Sequence, residues 1–249
     1  MDQPKVSIII ATYNAASTLE ACLASVLAQS FHAWELLIAD GGSTDGTLEL
    51  IKRHAQNLAW WQSKPDAGIY DAWNQAIAHA KGEYVTFLGA DDAWHTPSVL
   101  CKLFDAIDQR AFDIITSRGA LLSRNGSLHE FGNPWDYSKV ARRMTICHPG
   151  ALHRRELFQY YGPFDINYQI SADYEFLLRL PSSIRSLHVP LHTIDIADGG
   201  ISRRRRWTML IERYRIQASC RRIGPVRAAF NFLDKLWRIP VAKVLGIQN

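Results

Sequence analysis

Short continuous apolar runs, separated by polar segments rich in glycine, organise the first 120 residues. Val6-Ser7-Ile8-Ile9-Ile10 shows little polar alternation, the pattern of a strand covered on both faces. Leu36-Leu37-Ile38-Ala39 and Tyr84-Val85-Thr86-Phe87-Leu88 repeat it, and Trp60-Trp61 and Asp113–Thr116 read as further strands. Between them the period changes. Ser17-Thr18-Leu19-Glu20 matches a capping box, after which Leu19, Cys22, Leu23, Val26 and Leu27 recur at helical spacing. Further helices are predicted around Leu48 and Ile51, over Tyr70 to Ala80 with Trp73, Ile77 and Ala80 on one side, and near Pro97 to Gln109. Strands alternating with helices at this length predict βαβ units: an α/β fold, a single Rossmann-like domain with a mainly parallel central sheet. From about residue 119 the pattern loosens. Arg124-Asn125-Gly126-Ser127 reads as a hairpin turn, and Ala172 to Leu180 as a helix.

Three polar loops leave the carboxyl ends of apolar strands, after Ile10, Ala39 and Leu88, where open α/β sheets bind their ligands. The third runs into Asp91 and Asp92. Two adjacent carboxylates repel, and a hard divalent cation such as Mg²⁺ or Mn²⁺, bridging to substrate phosphates, relieves that repulsion. A solvated turn capping the next helix is the plain alternative for an Asp pair by itself.

Charge divides the chain. Residues 203–249 carry 12 Lys and Arg against Glu212 and Asp234, a balance of +10, whereas residues 1–202 total −6. The dispersed cysteines (Cys22, Cys101, Cys147, Cys220) form no CxxC pair and read as buried thiols in a reducing compartment. No apolar run is long enough to span a bilayer and no signal peptide is evident, so the expected location is cytoplasmic.

Taken together, the loops resemble the family 2 glycosyltransferases, inverting enzymes with the GT-A fold. The matching residues are Val6-Ser7-Ile8-Ile9-Ile10-Ala11-Thr12-Tyr13-Asn14, then Asp40-Gly41-Gly42-Ser43-Thr44-Asp45-Gly46-Thr47. They continue with Pro65-Asp66-Ala67-Gly68-Ile69-Tyr70-Asp71-Ala72-Trp73-Asn74 and Gly89-Ala90-Asp91-Asp92. The likeness covers roughly residues 5–202 and is densest before residue 95. It implies a nucleotide-diphosphate sugar donor, with Ala11, Thr12 and Tyr13 at the base. Asp40 would accept from a base N–H, which favours uracil, and Asp91 would hold the ribose. Asp92 would hold Mn²⁺ or Mg²⁺. Lys64 and Asp66 would border the nucleotide, although turn chemistry also accounts for Asp66 and simple exposure for Lys64. Trp73 and Ile77 are expected to be core.

Inversion needs one base, and Asp173 in Ser171-Ala172-Asp173-Tyr174-Glu175 resembles the family's catalytic carboxylate. Ala172 stands where many relatives have a first acid, and Asp173 would also serve as an N-cap. His148, in Cys147-His148-Pro149-Gly150, is expected to touch acceptor or donor sugar, or to be structural. His188 and His192 are expected to be structural, though a C-terminal histidine completes the metal shell in some GT-A enzymes. Asp198-Gly199-Gly200-Ile201-Ser202 matches a mobile loop that, with Ser202 and Arg203, would close over the pyrophosphate. Arg203-Arg204-Arg205-Arg206-Trp207 only superficially resembles the Gln-x-x-Arg-Trp signature of processive synthases, so single-sugar transfer is expected.

The expected organisation is a GT-A domain over residues 1–202, with a nucleotide-sugar half to about 95 and an acceptor half beyond, then a tail over 203–249. Trp207, Leu210, Ile211 and Tyr214, and later Phe230, Leu233 and Trp237, lie at helical spacing among arginines. Basic amphipathic helices of this kind lie on anionic membranes. The expected acceptor is therefore a saccharide or a polyprenyl-diphosphate-linked saccharide at the inner face of the cytoplasmic membrane. The alternative is that the apolar stripe packs on the domain or on a second subunit. Nucleic-acid binding is not expected, because the body is acidic and no nucleic-acid motif occurs. A sugar-nucleotide pyrophosphorylase is the first rival; it should carry a basic, glycine-rich phosphate loop, which Ala11 to Ser17 lacks. The second rival, a non-catalytic scaffold, should have a broken Asp pair.

Overall fold

The computed structural model describes residues 3–108, 110–122, 128–197 and 199–237. The turn expected at 124–127, Gln109, Asp198 and the chain after 237 lie outside the described residues. In chain order the first elements are β1 (Val6–Thr12), α1 (Leu19–Leu27), β2 (Trp34–Asp40), α2 (Thr47–Arg53), β3 (Trp60–Ser63), α3 (Ile69–Ile77), β4 (Tyr84–Gly89) and β5 (Ala93–Trp94). Then come α4 (Val99–Ile107), β6 (Ile114–Leu122), β7 (Leu128–Phe131), α5 (Tyr137–Val140), β8 (Leu152–Arg154), α6 (Glu156–Tyr160) and α7 (Ala172–Arg179). The last are β9 (Ser186–Ala197), α8 (Ile201–Arg204), α9 (Arg206–Ser219) and α10 (Gly224–Trp237).

One sheet runs β3-β2-β1-β4-β8-β6-β9-β5, with β7 beside β6. The pairings among β3, β2, β1 and β4 are parallel, as is the long β6–β9 pairing. Short antiparallel pairings of β8 with β4 and β6 join the two halves. The unalternating apolar runs have a direct explanation. Ile9, Leu37, Val85 and Phe87 enter one core with α3 and α7, while Ile8, Ile10, Leu36, Ile38 and Leu88 enter another with α1, α2 and α4. Successive side chains of a strand point to opposite faces, so a strand covered twice is apolar along most of its length.

Parallel order brings the carboxyl ends of β1, β2 and β4 side by side, with Thr12 opposite Asp40 and Ala11 opposite Gly89. That is the edge from which all three polar loops leave.

Some local expectations are corrected. The capping box does not form: the α1 N-cap is Thr18, without a side-chain cap bond, and Glu20 instead meets His54 and Arg53. Helix α3 ends at Ile77, before the buried Ala80, and its buried residues are Tyr70, Ala72, Trp73 and Ala76. In α9 the buried positions are Leu210, Glu212, Ile216 and Gln217, whereas Trp207, Ile211 and Tyr214 are exposed. The two buried polar residues are partnered. Glu212 accepts from the Gln169 and Ile170 N–H groups at 2.8 and 3.0 Å, and Gln217 Nε2 donates to Tyr174 Oη at 2.8 Å. No helix among the described residues is long and apolar enough to cross a membrane.

Candidate active site

The loops after β1, β2 and β4 enclose a cleft of about 930 Å³. Ala11, Thr12 and Tyr13 form one wall, Pro65, Asp66 and Gly68 a second, and Gly89, Ala90 and Asp91 the floor. Gly199, Gly200, Ile201, Arg204 and Arg205 close the far side. Tyr13, 69% exposed, presents an open ring face to the cleft.

Asp40 lies behind this lining and is buried. Its Oδ1 accepts from Thr12 Oγ1 at 2.8 Å and Ser43 Oγ at 2.5 Å. Its Oδ2 accepts from the N–H groups of Gly42 and Ser43 and from Ser63 Oγ at 2.6 Å. Burial pushes the carboxyl up, but the bonds from Ser43, Ser63 and Thr12 outweigh it and hold Asp40 below the usual carboxylate range. Gly42, at φ +82°, supplies the left-handed turn that folds the loop back onto Asp40. Asp40 thus ties the loops after β1, β2 and β3 into one wall. Lys64 is exposed and outside the lining, and only its backbone N–H engages the site, on the Asp40 carbonyl at 3.0 Å. Burial, with the charges of Asp71 and Asp40, raises the Asp66 carboxyl.

At the floor, the Asp91 and Asp92 carboxylates converge on Gly89. A Cβ added there would lie 2.7 Å from Asp91 Oδ1 and 2.9 Å from Asp92 Oδ2, so a larger residue would displace these carboxylates. Asp92 is buried, accepts from the Gly89 N–H at 2.9 Å, and is pushed up to about 7 by burial, with Asp91 adding to the rise. A buried carboxylate of raised basicity, Asp92, beside the exposed carboxylate of Asp91 is a donor set that fits a hard divalent cation.

Asp173 sits in the first turn of α7, where the N-cap is Ser171. The expected N-cap role is therefore corrected: the N-cap lies two residues earlier, and the Asp173 carboxylate turns to the protein. Its Oδ1 accepts from Tyr70 Oη at 3.0 Å and from the Tyr174 N–H at 2.8 Å. Burial raises its pKa, while the Arg213 charge and these hydrogen bonds oppose the rise. The carboxylate is thus oriented by one phenol and lies within the field of one cation.

Burial decides between the two readings of His148, and direction bears on Ser202 and Arg203. His148 is 3% exposed and packs its ring against both Trp73 and Phe87, with burial pushing its pKa down to about 3. It is a neutral core side chain and touches no cleft. Ser202 and Arg203 are exposed on α8 outside the lining, and the arginines facing the cleft are Arg204 and Arg205. Helical spacing turns the second pair inward, which the uniform Arg203–Arg206 run conceals. The histidines of β9 have structural partners, as expected. His188 Nδ1 meets Thr116 Oγ1 at 2.9 Å, and His192 meets Asp195 at 2.8 Å while stacking on His95.

Sequence reasoning missed Tyr70 as the partner of Asp173. Its motif, Gly68-Ile69-Tyr70-Asp71, was visible, but nothing in it specifies a contact about 100 residues away.

The chain matches the sequence profile of "Glycosyl transferase family 2" over residues 7–162. It is 34% identical over 197 residues to a PGL/p-HBAD biosynthesis glycosyltransferase of Mycobacterium tuberculosis, a match covering 76% of each chain. In fold it is similar to S. aureus TarS solved in complex with UDP-GlcNAc (TM-score 0.69, 17% identity, 93% of this chain and 71% of that one). It is likewise similar to the mannosyltransferase PcManGT of Pyrobaculum calidifontis, solved with GDP-Man and Mn²⁺ (TM-score 0.66, 20% identity, 99% of this chain and 79% of that one). With the profile spanning more than half its length and the sheet, loops and acidic floor of that fold in place, this chain belongs to glycosyl transferase family 2 and is a glycosyltransferase of GT-A type.

Proposed function

We propose that this glycosyltransferase moves a single sugar, with inversion, from a nucleotide-diphosphate sugar to a saccharide or lipid-linked saccharide in surface polysaccharide synthesis. The observation that carries the reading is the pairing of an acidic floor, exposed Asp91 beside buried Asp92, with a separate carboxylate, Asp173, bonded by Tyr70 and near the charge of Arg213.

The donor's nucleoside lies against Tyr13, in the wall that Asp40 organises, and Asp91 receives the ribose. Asp92 holds Mn²⁺ or Mg²⁺, which when bound neutralises charge developing on the departing diphosphate. Arg204 and Arg205, across the cleft, add positive charge on the same side of the reaction. Asp173 takes the proton of the acceptor hydroxyl as that oxygen attacks the anomeric carbon from the face opposite the diphosphate. Burial raises its basicity, and Tyr70 keeps one oxygen oriented.

A uridine diphosphate sugar is the first donor to try, because TarS was solved with UDP-GlcNAc; the PcManGT complex makes GDP-mannose the second. Support for the membrane reading comes from α10. Val226, Phe230, Leu233 and Trp237 are 70%, 71%, 59% and 91% exposed and fall on one face of that helix. Such a stripe on a basic hairpin matches peripheral attachment to an anionic, cytoplasm-facing leaflet.

The test is calorimetric binding of UDP, GDP and dTDP, with Mn²⁺ and with excess chelator, to wild type and Asp92→Ala. One nucleotide should bind only with metal and only to wild type. Failure of every nucleotide in both conditions would replace the enzyme by a scaffold that keeps the fold.

A further inference from the structure

A second groove, of about 600 Å³, lies between α5 with its following loop and the α9–α10 hairpin. It shares no lining residue with the donor cleft. Lys139, Arg142, Arg143, Arg213 and Lys235 line it, against the single acid Asp234. Lys139 is bridged to Asp136 at 3.5 Å, but Arg142 and Arg143 enter no ion pair among the described residues. Two buried polar atoms of the lining, Thr145 Oγ1 and Arg213 Nε, have no hydrogen-bond partner. Buried donors are almost always satisfied, so two orphans in one cationic groove mark a place where an external acceptor group belongs. Guanidinium forks with a hydroxyl suit a phosphoryl group above other anions.

Position narrows the ligand. Arg213 lies over the ring of Tyr174, 5.6 Å from its centroid, and Tyr174 follows Asp173 in the chain. The groove therefore opens beside the base. At its other side Phe230 is both a lining residue and a member of the exposed apolar stripe of α10. Asp173, anion site and apolar stripe follow one another in the order sugar, phosphate and hydrocarbon that an amphiphilic acceptor requires.

We propose that this groove binds the phosphoryl group of a lipid-linked acceptor, with the sugar directed to Asp173 and the lipid along α10. The proposal rests on the glycosyl-transfer reading above and adds the acceptor's phosphate site to it. Arg142 and Arg143 grip the phosphoryl oxygens, and Thr145 Oγ1 and Arg213 Nε donate to them once their side chains turn into the groove.

Geranyl diphosphate, below its micellar concentration and in excess chelator, is the probe; geraniol and geranyl acetate are controls. Full-length wild type and Asp92→Ala should bind geranyl diphosphate equally and ignore both controls. Arg142→Ala/Arg143→Ala and Thr145→Val should each weaken binding, the double variant by at least about tenfold, with melting temperature and metal-dependent nucleotide binding unchanged. Equal binding by wild type and the double variant overturns the proposal. So does a groove that ignores geranyl diphosphate while the double substitution abolishes partition to phosphatidylglycerol vesicles, for then it serves bilayer headgroups. Loss of nucleotide binding with retained geranyl diphosphate binding would instead strike the transferase reading and leave the groove standing.

Discussion

Tyr70 Oη donates to Asp173 Oδ1 at 3.0 Å and to the Ile170 carbonyl at 2.8 Å, joining helix α3 of the donor half to the base on α7. The Ile170 N–H in turn donates to Glu212 on α9. One hydrogen-bonded line thus runs from the donor wall through the base to the C-terminal hairpin.

Tyr70→Phe removes a bond that stabilises the charged form of Asp173, so the Asp173 pKa rises further. The base works ionised, and activity is lost as pH falls through its pKa. The acid limb of kcat/KM therefore moves to higher pH, and nucleotide affinity stays the same. Asp173→Asn should lower turnover by on the order of 10²–10⁴ with donor binding retained. Loss of both together would make Asp173 a structural residue. A pH–rate series with calorimetry on both variants settles the matter.

Asp92→Asn keeps an oxygen for the Gly89 N–H but removes the buried charge. Metal-dependent nucleotide binding should disappear, and the melting temperature in chelator should hold or rise, because a carboxylate whose ionisation burial disfavours has been removed. A melting temperature that falls by many degrees would show that the carboxylate serves the fold rather than a ligand.

Asp40→Ala leaves the hydroxyls of Thr12, Ser43 and Ser63 and two loop N–H groups without their acceptor. A loss of roughly 2–4 kcal/mol is expected from denaturant titration, from donors left unmet. Nucleotide affinity should fall with it. A stable variant with selectively weakened uridine binding would instead give Asp40 a direct contact with the base.

Glu212→Ala should destabilise the protein by about 1–3 kcal/mol and lower turnover, since the loop that positions Tyr70 loses its anchor. The same logic predicts that truncation at 206 damages the enzyme itself, so deletion of the tail is a poor probe of membrane contact. Phe230→Ser/Trp237→Ser, at exposed positions, is the clean one. Vesicle co-sedimentation should drop with activity on soluble substrates preserved. Unchanged partition would leave the stripe to another partner.

Much of this was legible in the chain. Runs with little polar alternation, such as Val6–Ile10 and Leu36–Ala39, determined buried parallel strands, because a strand covered on both faces has no solvent-facing row for polar side chains. The loops at their carboxyl ends and the Asp pair after β4 followed from residue type and order, and their resemblance to a known family pointed to that family and to Asp173.

Tertiary structure decided the contacts between distant segments. His148 looked available and is core, because Trp73 and Phe87 enclose it. Ser202 and Arg203 looked functional, yet Arg204 and Arg205 face the cleft, because the start of a short helix sets which of four consecutive residues point inward. Glu212 looked like one acid in a basic tail, and it anchors the loop beside the base. Local sequence fixes period and face, since those depend on backbone geometry repeated every few residues. Which face meets which neighbour depends on packing between segments far apart in the chain, and there only the folded structure holds the answer.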